Sequence, residues 1–389
     1  MSPWPARGAP LGGTELYGYL PYWAMTTSMA DYLVTVPLTT IELFSVTARS
    51  NGSLNRTLTG YRRITGPIGA RLIAEAHARG QRVELAFSSF GYDRNAALLG
   101  TEPPPLHDHR WASPIDAPDQ AGPSAKATRT ATELVALADR LGVDGINLDI
   151  ELVPDDANDG YGAFVAAVAA RLRDTRPGAR VSVATMANGS GANLAAAAVW
   201  SGADRVFLMG YDFHWSGSDP GAVAPIERVD GGASLTTAIG QYAAAGVPAE
   251  RIILGLPLYG RSWPVVASYR YAPRAGNGLT WLPSKHVKQL SSAAFVPFTD
   301  ITEVVEFVAQ PSGDTWRAVF YDSPRTLAAK LGLARAKGYA GAGFWAIGYE
   351  RGAPGYLGVM ADFRSGRIAP ADPSVIHVPP DPEPCVGRC

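Results

Sequence analysis

Short apolar runs that alternate with helix-forming stretches constrain the fold of this chain more than any other feature. Each run has the length and the β-branched or aromatic content of a buried strand. The eight runs are residues 15–23, 40–47, 81–88, 145–151, 179–186, 205–211, 251–259 and 341–347. Strands and helices in alternation predict a parallel sheet that is covered by helices.

Stretches rich in alanine and leucine, with helical spacing, lie between the runs. The clearest are residues 70–79, 128–141, 161–174 and 326–337. Gly80, Gly142, Gly246 and Gly338 follow such stretches, where glycine often ends a helix in the left-handed conformation. Eight strand–helix units predict an α/β protein with a closed (β/α)8 TIM barrel. An open doubly wound sheet is the alternative, but no G-x-G-x-x-G motif follows the first strand.

Two segments do not fit this alternation. About sixty residues separate Tyr259 from the helix that is predicted to begin near Ser323, and a structureless loop of that length is uncommon. Strand-like pieces within it predict a small α+β insertion over about residues 262–317, between the seventh strand and the last helix–strand unit. Residues 89–124 are rich in Pro, His and Asp, and predict a long irregular loop on the same face.

The two ends of the chain differ from the central part in composition. We predict an N-terminal leader segment over residues 1–13, the barrel over 14–368, and a proline-rich tail over 369–389. Residues 1–13 lack the hydrophobic stretch of a signal peptide. The two cysteines, Cys385 and Cys389, both lie in the tail, as a small disulfide or as free thiols, and are weak evidence for a metal site.

Charge and hydropathy exclude two kinds of partner. A formal net charge of -1 gives no electrostatic basis for binding nucleic acid or an anionic membrane surface. No apolar run approaches the ~20 residues that span a bilayer. We therefore expect neither a nucleic-acid partner nor a membrane span, and we expect a monomer.

The fourth run carries an unusual row of polar side chains. In V-D-G-I-N-L-D-I-E-L, residues 143–152, Asn147, Asp149 and Glu151 alternate with apolar residues. Alternate side chains of a strand share a face, so these three point into the barrel at intervals of roughly 6.6 Å, with Glu151 nearest the C-terminal mouth. An interior carboxylate without a partner costs several kcal/mol. The pattern favours an acid/base site over a purely structural polar layer.

Several motifs together carry a resemblance to a known family. D-G-I-N-L-D-I-E resembles the D-G-x-D-x-D-x-E signature of glycoside hydrolase family 18, the family of chitinases and related N-acetylglucosaminidases. M-G-Y-D-F-H-W (209–215), L-G-L-P-L-Y-G-R-S-W (254–263) and G-F-W-A-I-G-Y-E (343–350) resemble its sixth, seventh and eighth strands, in that order. The resemblance covers about residues 14–363. It implies a retaining hydrolase of β-linked N-acetylglucosamine polymers that needs no cofactor or metal.

The resemblance also implies substrate-assisted catalysis, in which the 2-acetamido oxygen of the sugar attacks the anomeric carbon and forms an oxazolinium ion. Glu151 would be the general acid and later the base. Asp149 would hold the acetamido N–H, and Tyr211 would donate to the acetamido carbonyl. Trp345 would stack on the sugar. Further candidate substrate contacts are Tyr19, Trp23, Met209, Asp212, Tyr259 and Arg261.

Asn147 departs from the family pattern, because many members have aspartate there. We expect its amide to exchange a hydrogen bond with Asp149 and, by donating, to stabilise the anion. The D-G-x-N-x-D-x-E pattern and the G-F-W-A-I-G-Y-E ending resemble the branch with peptidoglycan-directed glucosaminidases, which favours wall glycan over chitin and a secreted or wall-associated protein. The alternatives are a non-catalytic carbohydrate-binding lectin and an endo-β-N-acetylglucosaminidase on N-glycans.

Overall fold

The computed structural model of the protein describes residues 14–100 and 122–371. The predicted leader and the cysteine-containing tail from residue 372 lie outside the described residues, and the division of the chain at residues 13 and 368 stays a prediction. The strands of the described ranges are β1 Glu15–Pro21, β2 Thr40–Val46, β3 Arg82–Phe90, β4 Gly145–Glu151, β5 Arg180–Met186, β6 Arg205–Met209, β7 Ile252–Pro257, β8 Gly260–Val265, β9 Leu279–Trp281, β10 Phe298–Asp300, β11 Val305–Ser312, β12 Thr315–Tyr321 and β13 Gly341–Trp345.

Eight of these strands close into a parallel barrel in the order β1-β13-β7-β6-β5-β4-β3-β2. Each of the eight apolar runs contains one of these strands or, for β3, most of it, so the predicted (β/α)8 barrel is confirmed. Four runs extend past the end of the strand by two residues. Their last side chains therefore lie in the turns at the C-terminal mouth, where barrel enzymes hold their active-site groups.

Helices surround the barrel, and one short helix, Val287–Leu290, lies in the long segment after the seventh barrel strand. The helices are α1 Thr27–Leu33, α2 Thr59–Ile64, α3 Pro67–Ala78, α4 Tyr92–Leu99, α5 Ala125–Leu141, α6 Asn158–Thr175, α7 Gly189–Trp200, α8 Leu235–Ala244, α9 Val287–Leu290, α10 Pro324–Ala336 and α11 Tyr356–Arg364. The four predicted helices are confirmed, and Ser323 caps α10 by accepting from the Thr326 N–H. Gly142 follows α5 with a φ of 73°, the left-handed conformation expected of a glycine at that position.

Two apolar layers meet at the barrel wall. Ile146, Leu148 and Ile150 of β4 belong to the large core between the strands and the helices. A second cluster of buried residues fills the barrel interior and includes Tyr17, Tyr19, Phe44, Phe207, Met209 and Ile253. The alternation in β4 is therefore as predicted, with apolar side chains outward and Asn147, Asp149 and Glu151 on the other face.

The long connection after β7 forms a second sheet. Its five strands are antiparallel, in the order β10-β11-β12-β8-β9, and run from Gly260 to Tyr321. Trp263 and Phe320 are fully buried and pack edge to face, with ring centroids 6.1 Å apart. This small core explains how the segment can be ordered beside the barrel. No helix in residues 14–100 or 122–371 has the length and apolarity to cross a membrane.

The segment after β3 is not wholly irregular. The prediction of an irregular loop over residues 89–124 is wrong for Tyr92–Leu99, which forms α4. Asn95, Leu98 and Leu99 are buried on one side of this helix. The polar composition of the segment concealed a single helical face that packs on the barrel. Residues 101–121 lie outside the described residues.

Candidate active site

A pocket of about 540 Å³ opens at the C-terminal mouth of the barrel. Its walls come from the ends of β1, β2, β3, β4, β6 and β13 and from the turns that follow them. Eight of the predicted site residues line it, namely Tyr19, Trp23, Asp149, Glu151, Met209, Tyr211, Asp212 and Trp345. The structure thus brings together side chains from four widely separated parts of the sequence.

Two carboxyl groups of β4 lie side by side in this pocket. Asp149 is 4% exposed, and its Oδ1 has no hydrogen-bond partner among the described residues. Burial raises the pKa of Asp149 well above its usual value, and the nearby charge of Glu151 raises it further. Burial also raises the pKa of Glu151, with a further contribution from the charge of Asp212. Both groups therefore hold protons to a higher pH than exposed carboxyls do.

The backbone around Glu151 is fixed by a residue that sequence reasoning missed. Asn95 of α4 donates from Nδ2 to the Glu151 carbonyl oxygen at 2.5 Å. The same amide lies 3.4 Å from the carbonyl oxygen of Leu152, whose φ is +62°. Asn95 lies in a segment whose composition predicts a loop, and nothing in the sequence around it indicates that its side chain is buried. Its amide holds the end of β4 where Glu151 enters the pocket.

Tyr211 and Asp212 follow β6 and form the wall near Glu151. Burial raises the pKa of the Tyr211 phenol well above its usual value, and the carboxyls of Asp149 and Glu151 raise it further. The phenol therefore remains a hydrogen-bond donor at physiological pH. Asp212 adopts a φ of +58°, in the left-handed region, and its side chain lines the pocket.

Tyr259 and Arg261 lie behind Asp212, outside the residues that line the pocket. The Tyr259 hydroxyl and Arg261 Nη2 both donate to Asp212 Oδ1 at 2.8 Å. Both were expected to be direct substrate contacts. That role stays a prediction, and in the structure both side chains contact the carboxylate of Asp212.

Aromatic rings form the floor and one rim of the pocket. The ring centroid of Trp345, at the end of β13, lies 4.7 Å from that of Phe44 and 5.7 Å from that of Tyr19. Trp23 lies in the turn after β1, 49% exposed, with its centroid 6.3 Å from that of Trp345. Trp345 thus packs against three aromatic rings and also lines the pocket, where its ring can contact a flat apolar surface.

Asn147 lies one layer below the pocket. The prediction that it hydrogen-bonds to Asp149 is wrong. Asn147 Oδ1 accepts from the Tyr19 hydroxyl at 3.1 Å, and Nδ2 donates to Ser182 Oγ at 2.8 Å. Side chains two apart on one strand are separated by roughly 6.6 Å, which is too far for a direct bond unless both lean together. The partners of Asn147 are instead on β1 and β5.

Other pocket residues had no signal in the motifs. Ser45 and Ser88 share a hydrogen bond of 2.7 Å at the ends of β2 and β3, and Ser88 lies opposite Asp149 in the sheet register. Tyr22 and Phe90 also line the pocket. Tyr22, Ser45 and Ser88 lie near the C-terminal ends of apolar runs and Phe90 lies just after one, and that position was the only sequence feature that pointed to them.

The match to a family model agrees with this geometry. The model described as Glycosyl hydrolases family 18 matches residues 118–350, which is more than half of the chain. The chain belongs to glycosyl hydrolases family 18. The predicted family is therefore confirmed.

Relatives of the chain include proteins named for the lysis of cortical fragments and for the cleavage of chitin. The chain is 24% identical over 232 residues to the cortical fragment-lytic enzyme of Bacillus anthracis, covering 56% of this chain and 49% of that protein. It is 26% identical over 271 residues to endochitinase 1 of Metarhizium robertsii, covering 64% of this chain and 61% of that protein. The matched part spans about half to three fifths of the length of these two relatives.

A solved structure gives the same fold. A family 18 chitinase from Cycas revoluta, crystallised with (GlcNAc)3, superimposes with a TM-score of 0.70 at 19% sequence identity. The match covers 90% of this chain and 99% of that chain. At this identity the likeness supports the TIM-barrel fold.

Proposed function

We propose that this family 18 protein is a retaining glycoside hydrolase of β-linked N-acetylglucosamine polymers, with bacterial wall glycan as the favoured substrate. The observation that carries the proposal is the buried, unpartnered Oδ1 of Asp149 beside Glu151 in an aromatic pocket. A buried carboxyl oxygen without a donor costs free energy in the free protein. An acetamido N–H of the substrate supplies that donor.

Glu151 is the proton donor in this proposal. Its carboxyl lies at the pocket wall, half-buried, and its pKa is raised by burial. A general acid must be protonated when the glycosidic oxygen leaves, and a raised pKa extends the pH range in which it is. After departure of the first product, the carboxylate accepts a proton from the water that opens the cyclic intermediate.

Asp149 and Tyr211 act on the acetamido group. Asp149 accepts the N–H and offsets the positive charge that develops on the oxazolinium ring, while the Tyr211 hydroxyl donates to the acetamido oxygen. The acetamido oxygen forms the bond to the anomeric carbon as the bond to the leaving oxygen breaks. No enzyme nucleophile is required, and none of the steps uses a metal or an organic cofactor.

The choice of wall glycan rests on Asn147 and on the relatives. The D-G-x-N-x-D-x-E pattern led to that substrate from the sequence, and one relative is named a cortical fragment-lytic enzyme. The names of the other two relatives favour chitin. A protein that acts on wall glycan has to reach the wall, so we also propose a secreted or wall-associated location.

The test is product analysis by mass spectrometry after incubation with chitin oligomers, purified peptidoglycan and a high-mannose glycoprotein. We expect reducing-end N-acetylglucosamine products from peptidoglycan, at a rate above that from chitin oligomers. The Glu151→Gln variant is the matched control. Cleavage of chitin or of the glycoprotein alone would overturn the substrate assignment. Binding of a GlcNAc oligomer without any cleavage would favour the lectin alternative.

A further inference from the structure

A second pair of carboxyl groups lies inside the barrel, below the active site. Glu42 of β2 and Glu84 of β3 are both fully buried and directly opposite each other in the sheet register. Gly145 of β4 lies beside Glu84, and a Cβ there would lie 2.6 Å from the Arg180 carbonyl oxygen and 3.0 Å from Glu84 Cγ. The proposed catalytic steps use neither residue.

Three of the four carboxyl oxygens of Glu42 and Glu84 lack a hydrogen-bond donor among the described residues. Glu84 Oε2 accepts from Ser182 Oγ at 2.5 Å. Neither oxygen of Glu42, nor Oε1 of Glu84, has a partner among the described side chains and backbone groups that can donate. Neighbouring strands of a sheet lie about 4.8 Å apart, so the side chains of Glu42 and Glu84, which are opposite in register, are neighbours on the same interior face. A single shared proton supplies the missing donor.

We infer that Glu42 and Glu84 are positioning residues of the active site, which share one proton so that Glu84 is an anion and sets the direction of the hydrogen bonds to Tyr19. An anionic carboxylate only accepts, so Ser182 must donate its one proton to Glu84. The Ser182 oxygen then accepts from Asn147 Nδ2, and Asn147 presents its carbonyl oxygen to the Tyr19 hydroxyl.

The groups around Glu42 and Glu84 favour a state in which the two carboxyls together carry one proton, rather than none or two. Two adjacent anions in a buried site repel strongly, and burial raises the pKa of both groups, that of Glu42 well above its usual value. Arg180 on β5 and Arg82 on β3 lower the pKa of Glu84, which favours its anion. From β1, the phenols of Tyr17 and Tyr19 face the pair, and burial raises the pKa of each well above its usual value. They remain neutral.

The chain of hydrogen bonds ends beneath the sugar site. The Tyr19 ring packs against Phe207, with centroids 4.7 Å apart, and against Trp345, with centroids 5.7 Å apart. Fixing the Tyr19 hydroxyl therefore fixes the support of the ring on which a sugar would stack. This consequence for binding rests on the proposed function, whereas the count of protons on Glu42 and Glu84 does not.

The proton count is measured without substrate, by infrared difference spectroscopy at neutral pH. We expect the wild-type minus Glu42→Gln/Glu84→Gln difference to show the loss of one protonated carboxyl band and one carboxylate band. The loss of two bands of the same kind would overturn the inference. If the double variant does not fold, Glu42→Gln alone is sufficient, because it should remove a protonated band and no carboxylate band. Loss of a carboxylate band instead would contradict the proposal.

The positioning effect is measured as the Kd of a GlcNAc oligomer in the Glu151→Gln background, by calorimetry. Ser182→Ala cuts the chain and leaves the carboxyl pair intact, so we expect about tenfold weaker binding, which corresponds to the loss of one hydrogen bond. Ser182→Thr keeps a hydroxyl and should restore binding. Thr40→Val is the matched control, since Thr40 is buried in the same strand as Glu42 and its hydroxyl has no partner in the described structure.

Three outcomes separate the two proposals. Unchanged affinity in Ser182→Ala, or a loss in Thr40→Val as large as in Ser182→Ala, would overturn the positioning role. If the oligomer does not bind even the Glu151→Gln protein, the proposed function fails, and the infrared result still decides the shared proton.

Discussion

Two side chains at the end of β4, Asp149 and Glu151, have different roles in the proposed reaction. Asp149 and Glu151 are two residues apart, but one is almost fully buried and the other borders the open pocket. Their surroundings, rather than their type, therefore determine what each carboxyl can do. Asp149 has a buried oxygen without a hydrogen-bond donor. Glu151 borders the pocket and, in the proposed function, reaches the leaving group.

Replacing Glu151 by glutamine removes the proposed proton donor and keeps its size. We expect hydrolysis of a GlcNAc polymer to fall by about 10²–10⁴-fold, because general acid–base catalysis typically contributes that much. Binding of the oligomer should persist, since glutamine retains the hydrogen-bonding capacity. The measurement is initial rate by product chromatography together with Kd. Turnover close to that of the wild type would show that the acid is another group.

The charge of Asp212 should control the basic limb of the pH–rate profile. Asp212 raises the pKa of Glu151, so Asp212→Asn should lower it. Because the acid form of Glu151 is the active one in the proposed function, the fall in kcat/KM at high pH should then begin at a lower pH. Tyr259→Phe is the control, since it removes a partner of Asp212 and leaves the charge. An identical basic limb in Asp212→Asn would exclude this coupling.

Asn147 contributes to stability through partners on two strands. Leucine at this position would leave the Tyr19 hydroxyl and the Ser182 side chain each without one partner, at a cost of about 1–3 kcal/mol for each group. We expect Asn147→Leu to lower the free energy of unfolding by roughly 2–6 kcal/mol. Asn147→Asp, which keeps an acceptor for Tyr19, should lose less. Denaturant titration compares the two, and equal losses would contradict this account.

At the level of elements, α4 determines how β4 ends. The helix buries Asn95 against the barrel, and the amide of Asn95 holds the carbonyl oxygens of Glu151 and Leu152. A short helix from the segment after β3 thus sets the backbone at the end of the strand that carries Glu151. The same arrangement explains why the residue after Glu151 can keep a positive φ.

Asn95→Ala should therefore affect both stability and activity. The lost hydrogen bonds leave buried carbonyl oxygens unsatisfied, with an expected cost of roughly 1–3 kcal/mol in the free energy of unfolding. We also expect a fall in kcat/KM, because the Glu151 backbone is no longer fixed. Asp93→Ala, on the exposed side of the same helix, is the matched control. A loss of stability with unchanged kcat/KM would show that Asn95 supports the fold alone.

For the whole molecule, the second sheet and the barrel are joined by a buried ion pair. Lys330 of α10 is fully buried and pairs with Asp322, which directly follows β12. The Tyr356 hydroxyl of α11 donates to the Asp322 carbonyl oxygen at 2.5 Å. The last strand of the second sheet is in this way attached to the two final helices of the barrel.

Breaking this pair should destabilise the protein. Lys330→Met leaves the Asp322 carboxyl buried without its cation, and we expect a loss of about 3–5 kcal/mol in the free energy of unfolding. The double variant Lys330→Met/Asp322→Leu removes both charges and should recover much of that loss. Chemical denaturation measures both. A double variant as unstable as the single one would show that packing, rather than the unpaired charge, is responsible.

The barrel, its eight strands and the row of polar side chains on β4 could be predicted from the amino-acid sequence. These features follow from local rules, because the two-residue period of a strand fixes which side chains share a face. The handedness and direction of the strand–helix units then place the strand ends at one mouth. The motifs were local as well, so Asp149, Glu151, Tyr211 and Trp345 could be assigned to one pocket without coordinates.

The hydrogen-bond partners of the interior side chains could be identified from the three-dimensional structure but not from the sequence. Asn147 bonds to Tyr19, 128 residues away, rather than to its near neighbour Asp149. Asn95 is bonded to Glu151 across 56 residues, and Glu84 to Ser182 across 98. A hydrogen bond depends on distances of a few tenths of an ångström between separate strands. Strand register, barrel closure and helix packing set those distances together, and no single stretch of sequence contains that information.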